Sequence, residues 1–336
     1  MQAMAGSANP KPFTGVLLLN MGTPDAPTYS AVFRYLREFL SDPRVVENQG
    51  LKWKLLLYGV ILPFRSRRSA KFYREIWTDT GSPLLVNTRL QAEKLQEVLQ
   101  RDLANESFKV EFAMRYGNPS IAQALARFQS LGISRLLVLP LYPQYSATTT
   151  ASCFDLVVEE LKRSRNIPEF RMKMSFFADE NYIATLSKSV SDYWAKDGEP
   201  EKLLISFHGL PKSYSDAGDP YLQQCQRTAF LLTESLSLAK ERVEVTFQSR
   251  FGRQEWLKPY TDERLKSLAR SGVKSVDVIC PGFTSDCLET LHEIDKENRE
   301  MFLHAGGSKF RYLKAVNYSD SFIEVLGGMV LRMAGR

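Results

Sequence analysis

The amino-acid sequence predicts an α/β fold with two similar doubly wound domains, each built on a four-stranded parallel sheet flanked by helices. Short apolar runs alternate with amphipathic stretches of helical period along the whole chain, which is typical of βα units. The 336 residues are enough for about two domains. Leu131-Gly132-Ile133, before one predicted strand, resembles Ser271-Gly272-Val273 before a later one, which favours a duplicated unit.

Eight apolar runs are predicted as strands, four in each half of the chain. In order, they cover 14–20, 108–114, 134–140, 171–177, 202–207, 242–248, 275–280 and 309–315. Amphipathic helices are predicted between them, for example over 30–40 and 182–194, where apolar residues recur on one face. The connections are long enough for right-handed crossovers between parallel strands.

The predicted domains differ by one insertion. The first domain, 13–178, follows a flexible N-terminus over 1–12, and the second domain spans 179–317. Residues 318–336 include a predicted C-terminal helix that can pack back on the first domain. The first two strands of the first domain lie much farther apart in sequence than their counterparts in the second, and the extra residues are centred on 44–80.

The basic surplus of the chain is concentrated in this insertion. Between Leu51 and Arg74 lie seven of the 44 Lys and Arg residues and none of the 38 Asp and Glu residues. The remainder of the chain is therefore nearly neutral, which argues against a general polycation that binds nucleic acid. The apolar run 55–64 is interrupted by Gly59 and Pro63 and is too short to span a bilayer, although it could contact one.

The N-terminus and the cysteines indicate a cytoplasmic protein. Residues 1–13 lack the apolar stretch of a secretory signal. No two of the four cysteines are spaced as C-x-x-C, so neither a disulfide framework nor a structural zinc site is predicted.

Four of the predicted strands end in loops that are rich in Gly, Pro and polar residues. They cover 20–24, 140–146, 206–211 and 281–286. Ligands of open parallel sheets bind beyond the carboxyl ends of the strands, so the candidate site lies among these loops. None of them contains the glycine-rich motif of a dinucleotide-binding or P-loop protein.

His208 is the strongest single candidate for a catalytic residue. It directly follows the apolar strand residues 203–207, so its imidazole is expected to enter the cleft between the domains. A histidine at a strand end, followed by Gly and Pro, favours a functional over a structural role. His292, on a predicted helix, and His304 are interpreted as structural.

Five carboxylates follow the fourth loop, on a helix predicted to begin near residue 285. They are Asp286, Glu289, Glu293, Glu297 and Glu300, and helical spacing places them on one face, where like charges repel. A solvated face, partly neutralised by nearby Lys and Arg, is the interpretation for the last two. Oxygen ligands in a row could pass a divalent cation into the cleft, and imidazole plus carboxylate suits ferrous iron.

Aromatic side chains near the strand ends could line a flat apolar ligand, although each could equally belong to a hydrophobic core. They are Tyr116, Tyr142, Tyr145, Trp256 and Phe283. Arg115 could meet the carboxylates of such a ligand.

These loops resemble the motifs of ferrochelatases of the bacterial type. The resemblance covers nearly the whole chain and rests on five motifs in order: LNMGTP (19–24), YPQYS (142–146), SFHGLP (206–211) with GDPY (218–221), QSR (248–250) and FTSDCLETL (283–291). It implies two doubly wound domains with a porphyrin between them, and an apolar lip formed by the insertion. It also implies a lyase that inserts ferrous iron into protoporphyrin IX to form protohaem, the terminal step of haem biosynthesis.

The resemblance implies roles for individual residues by matching motif. His208 and Glu289 would be the catalytic pair and the iron ligands, and Glu293 would continue the metal path. The substrate-binding side chains would be Met21, Arg115, Tyr145, Ser146, Trp256, Phe283 and Asp286.

Two positions depart from animal ferrochelatases. Cys287 stands where those proteins have His, which leaves its part in metal handling open. Ala147 stands where they carry a cluster cysteine, and no cysteine follows Cys287. We therefore expect no iron–sulfur cluster and no permanently bound cofactor, with ferrous iron as a substrate.

Two alternatives remain open at the level of sequence. One is a related chelatase for another metal or a more carboxylated porphyrin, and the other is a non-catalytic tetrapyrrole or metal carrier. The apolar lip favours protoporphyrin. The expected partners are protoporphyrin IX and ferrous iron, with no nucleic acid and with a weak peripheral contact between the basic insertion and the inner face of an anionic membrane.

Overall fold

The computed structural model describes residues 13–102, 107–252 and 254–336. The N-terminus predicted to be flexible, 1–12, lies outside the described residues. The described residues form two four-stranded sheets in which all neighbouring strands are parallel, with helices around them. The predicted fold class is confirmed.

The first sheet has the strand order β2-β1-β3-β4. Its strands are β1 (Phe13–Thr23), β2 (Ser107–Gly117), β3 (Arg135–Pro140) and β4 (Glu169–Met172). The helices of this half are α1 (Tyr29–Leu40), α2 (Leu51–Leu56), α3 (Leu62–Ile76), α4 (Pro83–Asp102), α5 (Ile121–Ser130) and α6 (Ser152–Leu161). A π-helical turn, Ala147–Ala151, leads into α6.

Both faces of the first sheet are covered, which explains why β1 reads as a continuous apolar run. Leu17 and Leu19 share a buried cluster with residues of α5 and α6. Val16 and Leu18, which alternate with them, belong to the cluster that includes α4 residues on the other face. A parallel strand buried on both sides needs apolar side chains at every position, as observed.

The second sheet repeats this arrangement in the order β6-β5-β7-β8. Its strands are β5 (Lys202–His208), β6 (Val243–Gln248), β7 (Ser275–Ile279) and β8 (Lys309–Leu313). The helices of this half are α7 (Glu180–Asp197), α8 (Lys212–Asp216), α9 (Tyr221–Ser235), a 3₁₀ turn (Lys240–Arg242), α10 (Thr261–Arg270), a π-helix (Glu289–Asn298), α11 (Arg299–His304) and α12 (Asp320–Ala334).

The fourth strand is shorter than predicted. The prediction of 171–177 is wrong beyond Met172, where β4 ends. Phe176, which supplied the apolar signal, is buried in a bent segment and packs edge-on against Tyr182, with ring centroids 5.2 Å apart. Its backbone N–H donates to the carbonyl of Pro143 rather than to a neighbouring strand. Tertiary packing thus replaces strand pairing here.

The insertion is helical over 51–76, which we call the lip. Its two helices, α2 and α3, are joined by a π-helical turn, Leu57–Ile61, so that the segment is one continuous helix. Leu57, Leu62 and Tyr73 are buried in a cluster with residues of α1. The outer side of the lip faces solvent.

Contacts between the halves include those of the C-terminal helix with α4. The C-terminal helix α12 lies against α4 and α7, and Lys94 of α4 pairs with Asp320 at 2.7 Å. Beside the cleft, the buried Gln91 amide of α4 donates to the carbonyl of Thr284 at 3.2 Å and to that of Asn317 at 2.7 Å. These bonds hold the loop after β7 against the first half. The domain boundaries themselves stay a prediction.

Candidate active site

His208 ends β5 and is half-buried. Its Nδ1 lies 2.7 Å from the carbonyl oxygen of Gly209. Because a carbonyl oxygen can only accept, Nδ1 carries the proton in the neutral ring and Nε2 keeps its lone pair. The hydroxyl of Tyr221 donates to the His208 carbonyl at 3.0 Å and fixes the strand end. The structure therefore presents Nε2 as a base at the end of β5.

Gly209 allows the Trp256 ring to pack against the backbone of the residue that follows His208. A Cβ on Gly209 would come within 2.7 Å of the Gln248 carbonyl oxygen and 3.1 Å of the Trp256 ring, so no other residue fits without a shift. Trp256 is buried, and its indole N–H donates to the Phe251 carbonyl at 2.9 Å. The Phe283 ring lies near the His208 imidazole, with ring centroids 6.4 Å apart. The end of β5 is thus flanked by Phe283, which neighbours the imidazole, and by Trp256, which neighbours Gly209.

Gln248 connects the strand of His208 to Glu289. It lies opposite His208 in the register of β5 and β6, and its side-chain amide donates to the carbonyl of Glu289 at 3.1 Å. Its amide oxygen accepts from Ser206 at 2.9 Å. Glu289 is the first residue of the π-helix. This bridge brings the ends of β5 and β6 and the start of the π-helix to one edge of the second sheet.

Glu293, one turn further along the π-helix, is held by Ser249. The Ser249 N–H donates to its carboxylate at 2.7 Å, and the Ser249 hydroxyl donates to the other oxygen. Ser249 has a φ of 65°, a left-handed conformation that is uncommon for residues other than glycine. Burial raises the pKa of Glu293 to about 7, with Glu289 and Glu297 adding repulsion and the two Ser249 bonds opposing the shift.

The other carboxylates that were predicted to lie on one helix face, which we call the carboxylate stripe, do not share one environment in the structure. Glu297 is half-buried and Glu300 is exposed. Asp286 lies in the loop before the π-helix rather than on it, so the prediction that it begins the stripe is wrong. The wider winding of a π-helix, with i→i+5 hydrogen bonds, also changes the spacing that was predicted for an α-helix.

The Asp286 carboxylate is occupied by protein donors. It accepts from the Tyr312 hydroxyl at 2.7 Å, the Asn317 amide at 2.8 Å and the Thr290 hydroxyl at 3.1 Å. These bonds anchor the loop that precedes Glu289. Direct contact of Asp286 with a substrate stays an untested prediction.

Cys287 is buried beside this loop. Burial raises the pKa of its thiol well above the usual range, and the neighbouring Glu289 carboxylate raises it further. The residue is therefore a neutral thiol at the start of the π-helix.

Arg115 is held by an internal network. Its guanidinium donates to the buried Asp42 carboxylate at 2.5 Å and to the Ser152 hydroxyl at 2.6 Å. The Tyr116 hydroxyl donates to the same Asp42 oxygen at 2.8 Å. These bonds use two of the five N–H donors of Arg115 within the protein, and its predicted contact with a substrate carboxylate stays untested.

Arg65 of α3 is a half-buried cation that is available to a ligand. Its guanidinium lies over the Phe251 ring at 5.0 Å, and no described residue gives it a hydrogen bond or an ion pair. Burial lowers its pKa, while Glu289 and Tyr35 oppose that shift, which places Arg65 on the side of the lip that faces the π-helix.

The remaining predicted residues lie near the end of β1 or follow β3, and their contact with a substrate stays untested. Met21 packs with the lip cluster that includes Tyr35, Tyr73 and Leu288. The other two candidates follow β3. The buried Ser146 hydroxyl donates to Asp219 at 2.9 Å, and the Tyr145 backbone N–H donates to the Gln224 side chain at 2.8 Å.

The geometry thus gathers half of the ten candidate residues. His208, Trp256, Phe283, Glu289 and Glu293 surround the ends of β5 and β6. Among residues 13–102, 107–252 and 254–336, no three His, Cys, Asp or Glu side chains are grouped so that they could hold a metal ion. The site offers single donors beside a cleft rather than a closed metal cage.

A sequence profile described as Ferrochelatase matches residues 13–334. The chain belongs to the ferrochelatase family. The ferrochelatase of Herminiimonas arsenicoxydans is 52% identical over 325 residues, 96% of this chain and 88% of that protein. Ferrochelatase 1 of Shewanella oneidensis is 50% identical over 318 residues, 95% of each chain. The ferrochelatase of Azoarcus sp. is 52% identical over 322 residues, 96% of this chain and 88% of that protein.

Solved structures of distant chelatases share the fold. SirB from Bacillus subtilis, determined with Fe3+, has a TM-score of 0.56 at 12% identity over 96% of both chains. CbiX, described as the terminal enzyme for the biosynthesis of sirohaem in denitrifying bacteria, has a TM-score of 0.52 at 14% identity, covering 95% of this chain and 98% of that one.

Three residues of this ferrochelatase site had no individual role in the sequence interpretation. Gln248 and Ser249 were recognised only as part of a motif, and Arg65 only as one cation of the lip. Their contacts join segments that are far apart in sequence, so local patterns carry no signal for them. The one hint in the sequence was the QSR motif (248–250) at the end of β6, because its Gln248 and Ser249 side chains can form hydrogen bonds.

The raised pKa of Glu293 predicts a pH dependence for metal use. The carboxyl must lose its proton before it can attract a cation, so the apparent KM for the metal should fall as pH rises through about 7. Glu293→Gln should remove this dependence and raise the KM at high pH. Initial rates of zinc insertion across this range measure it, with the exposed Glu300→Gln as control. A wild-type profile retained in Glu293→Gln would assign the dependence to another group.

Proposed function

We propose that the protein inserts ferrous iron into protoporphyrin IX to form protohaem, the terminal step of haem biosynthesis. The observation that carries the proposal is the placement of His208, with Nε2 free to accept a proton, beside the Phe283 ring and on the same sheet edge as Glu289. The family of the chain supports it, because each of the three relatives described above at 50% identity or more is named a ferrochelatase.

Proton removal is the first chemical demand of metallation, because two pyrrole protons must leave as the cation enters. A base within hydrogen-bond reach of the ring nitrogens meets this demand. In the neutral imidazole of His208, Nδ1 donates to Gly209 and Nε2 can accept. After proton uptake Nδ1 keeps the same bond, so the ring holds its orientation through the step.

Metal delivery is the second demand, and the carboxylates of the π-helix are suited to it. Glu289 at the cleft and Glu293 behind it can each bind a cation with one carboxylate. Weak, separate ligands let the metal move on, since a closed cage would retain it. The porphyrin nitrogens then complete the coordination in the product.

The third demand of metallation is a flat apolar pocket, and the aromatic side chains are suited to form it. Trp256 is fixed by its indole hydrogen bond, and Phe283 and Met21 line neighbouring walls. A rigid pocket that grips the macrocycle in a bent shape would expose the nitrogen lone pairs to the metal. Ser146, which donates to Asp219, holds the loop after β3 in place, and Tyr145 precedes it in that loop.

Arg65 supplies a cation for one substrate carboxylate. We expect Arg65→Met to raise the KM for protoporphyrin about tenfold with a small change in kcat, because a charge-assisted bond to the substrate is lost. Arg67→Met, two residues away on the exposed side of α3, is the matched control. Steady-state kinetics in detergent measure both. Equal KM values for the two variants would remove Arg65 from the substrate site.

We also propose that the enzyme works without an iron–sulfur cluster or another permanently bound cofactor. The four cysteines, Cys153, Cys225, Cys280 and Cys287, are each buried. They belong to separate places in the fold, since Cys153 and Cys225 lie in different core clusters. Iron and sulfide analysis of protein purified without oxygen tests this.

A related chelatase is the second candidate function. Its distant structural relatives include a sirohydrochlorin chelatase, SirB from Bacillus subtilis subspecies spizizenii, solved with cobalt at a TM-score of 0.54. A more carboxylated porphyrin would need several cations at the pocket that are not already paired with protein carboxylates. Among the lip cations, Arg65 is the inward one to which the described residues give no ion pair. We therefore favour protoporphyrin. Rates with Fe2+ or Co2+ and porphyrins of two to eight carboxylates separate the candidates.

We further propose that the outer face of the lip makes weak contact with an anionic membrane from the cytoplasmic side. Leu51 and Phe64 are 74% and 72% exposed, and Leu55, Tyr58 and Val60 are exposed beside them. These five apolar residues form the exposed ridge of the lip. The exposed cations around the ridge are Lys52, Lys54, Arg67, Arg68 and Lys71. In the described part of the chain, no helix is long and apolar enough to cross a membrane.

Liposome flotation tests the membrane contact. Each cation near an anionic surface contributes about 1 kcal/mol, so binding should be weak and lost at high salt. Changing Arg67, Arg68 and Lys71 to Gln should abolish flotation on anionic vesicles. The control changes Lys162, Arg163 and Arg165 to Gln, three exposed cations of the α6 end. Equal flotation on neutral vesicles, or none at low salt, would defeat the electrostatic contact.

A further inference from the structure

The lip and the π-helix are joined by a cluster of side chains outside the cleft. Glu75, near the end of α3, pairs with Lys296 of the π-helix at 2.6 Å. The same carboxylate oxygen lies 3.2 Å from Nε2 of His292, also on the π-helix. One lip carboxylate therefore contacts two successive turns of the helix that carries Glu289 and Glu293.

His292 makes this contact more than a surface ion pair. The imidazole is buried, and it packs on the Phe72 ring of α3 with ring centroids 4.0 Å apart and planes 30° from parallel. Its Nδ1 faces Glu297 at 3.9 Å. An exposed ion pair alone contributes little, but a buried ring stacked on the neighbouring helix excludes water from the junction and fixes its geometry.

The two joined elements lead to different parts of the proposed enzyme. From Glu75, α3 runs back through Arg65 to the exposed apolar ridge of the lip. From His292, the π-helix runs back to Glu289, three residues earlier, and forward to Glu297. A displacement of the lip relative to the sheet would therefore be transmitted to the carboxylates on the π-helix, since α3 and that helix are in direct contact.

We propose that Glu75, His292 and Lys296 form a latch through which the lip positions the metal-handling carboxylates of the π-helix. The three are positioning residues, because their contacts are with each other, with Phe72 and with Glu297. The proposal rests on the proposed function, which assigns metal handling to Glu289 and Glu293. It assigns to the lip a part in metal use in addition to covering the porphyrin.

A charge swap across the latch tests the proposal. Glu75→Lys and Lys296→Glu, each alone, place like charges in contact and should raise the apparent KM for the metal about fivefold or more, with a smaller change in the KM for porphyrin. The double variant restores an opposite pair and should return the metal KM to within about twofold of wild type. A merely structural defect would not be rescued by the second change.

The control applies the same swap to Lys94 and Asp320, an ion pair at 2.7 Å that also joins two helices but lies away from the lip. Neither reversal there should alter the metal KM. Hydrogen exchange of the substrate-free chain adds a readout that needs no turnover: amides of 289–298 and of α3 should exchange faster together in each single variant and recover in the double.

Unchanged metal KM values in both single variants, or a double variant no better than the worse single, would overturn the latch. If the wild-type chain inserts no metal at all, the proposed function fails instead. The exchange experiment then decides whether the lip and the π-helix are coupled, and independent exchange of the two segments would overturn the proposal on its own.

Discussion

His208→Ala should reduce metal insertion by about 10²-fold to 10⁴-fold, the usual cost of losing a general base. Alanine removes the imidazole that ends β5 and lies beside the Phe283 ring. The fold should survive, because His208 is half-buried at a strand end and its backbone carbonyl can still accept from the Tyr221 hydroxyl. Steady-state turnover with protoporphyrin and zinc or iron measures the effect, with circular dichroism to check folding.

The matched control is His304→Ala, which removes an exposed imidazole from the end of α11 and should be nearly silent. His208→Gln keeps a polar side chain of similar size but offers no comparable base. It should be nearly as inactive as the alanine variant. Retention of more than about a tenth of wild-type turnover by either His208 variant would show that another group removes the pyrrole protons.

Glu289→Gln should have the second-largest effect, with turnover reduced by at least about 10²-fold. Glutamine preserves the size of the side chain and leaves the backbone carbonyl that accepts from Gln248, so the π-helix should begin as before. What is lost is the negative charge that attracts the cation at the cleft. Single-turnover insertion rates at several metal concentrations measure the loss.

Glu293 and Glu300, two later carboxylates of the same segment, serve as comparisons for Glu289. Glu293→Gln should mainly raise the KM for the metal, because this side chain lies one turn behind Glu289 and is held by Ser249. Glu300→Gln should leave both constants unchanged, since Glu300 is exposed. Equal losses along the helix would point to a general electrostatic effect and would contradict delivery through ordered carboxylates.

The sheet could be predicted because both faces of its strands are buried. Apolar runs such as 16–19 and 203–205 leave no alternative to a central parallel strand. The edge strand β4 was misjudged beyond Met172, where the apolar signal of Phe176 comes from packing against Tyr182. Local hydrophobicity indicates burial, but it does not say which element provides the burial.

The position of His208 was also predictable, because the carboxyl ends of parallel strands define the site before any contact is known. The partner of a charged residue was not. Arg115 looks available in the sequence, yet Asp42, 73 residues earlier, accepts from it in the structure. Arg65 looks like one of several lip cations, yet it lies inward over Phe251. Such pairings depend on tertiary distances that sequence spacing does not encode.

The carboxylate stripe shows the same limit at shorter range. Its spacing was interpreted with an α-helical period, whereas Glu289–Asn298 is a π-helix. Asp286 falls outside it and is bound by Tyr312 and Asn317. Glu293 nevertheless lies close enough to Glu289 for their charges to interact. The acidic character of this segment was predictable, but the protein partners of Asp286 and Glu293 required the structure, and metal handling by Glu289 and Glu293 stays a prediction.

Counting the haem molecules formed per protein chain tests the central claim most directly. Purified protein is mixed without oxygen with excess ferrous iron and protoporphyrin IX, and haem is followed by its absorbance. The account predicts many haem molecules per wild-type chain, and no more than the uncatalysed background with His208→Ala. Bound porphyrin that reaches one per chain without metallation beyond that background would contradict catalysis and identify a carrier.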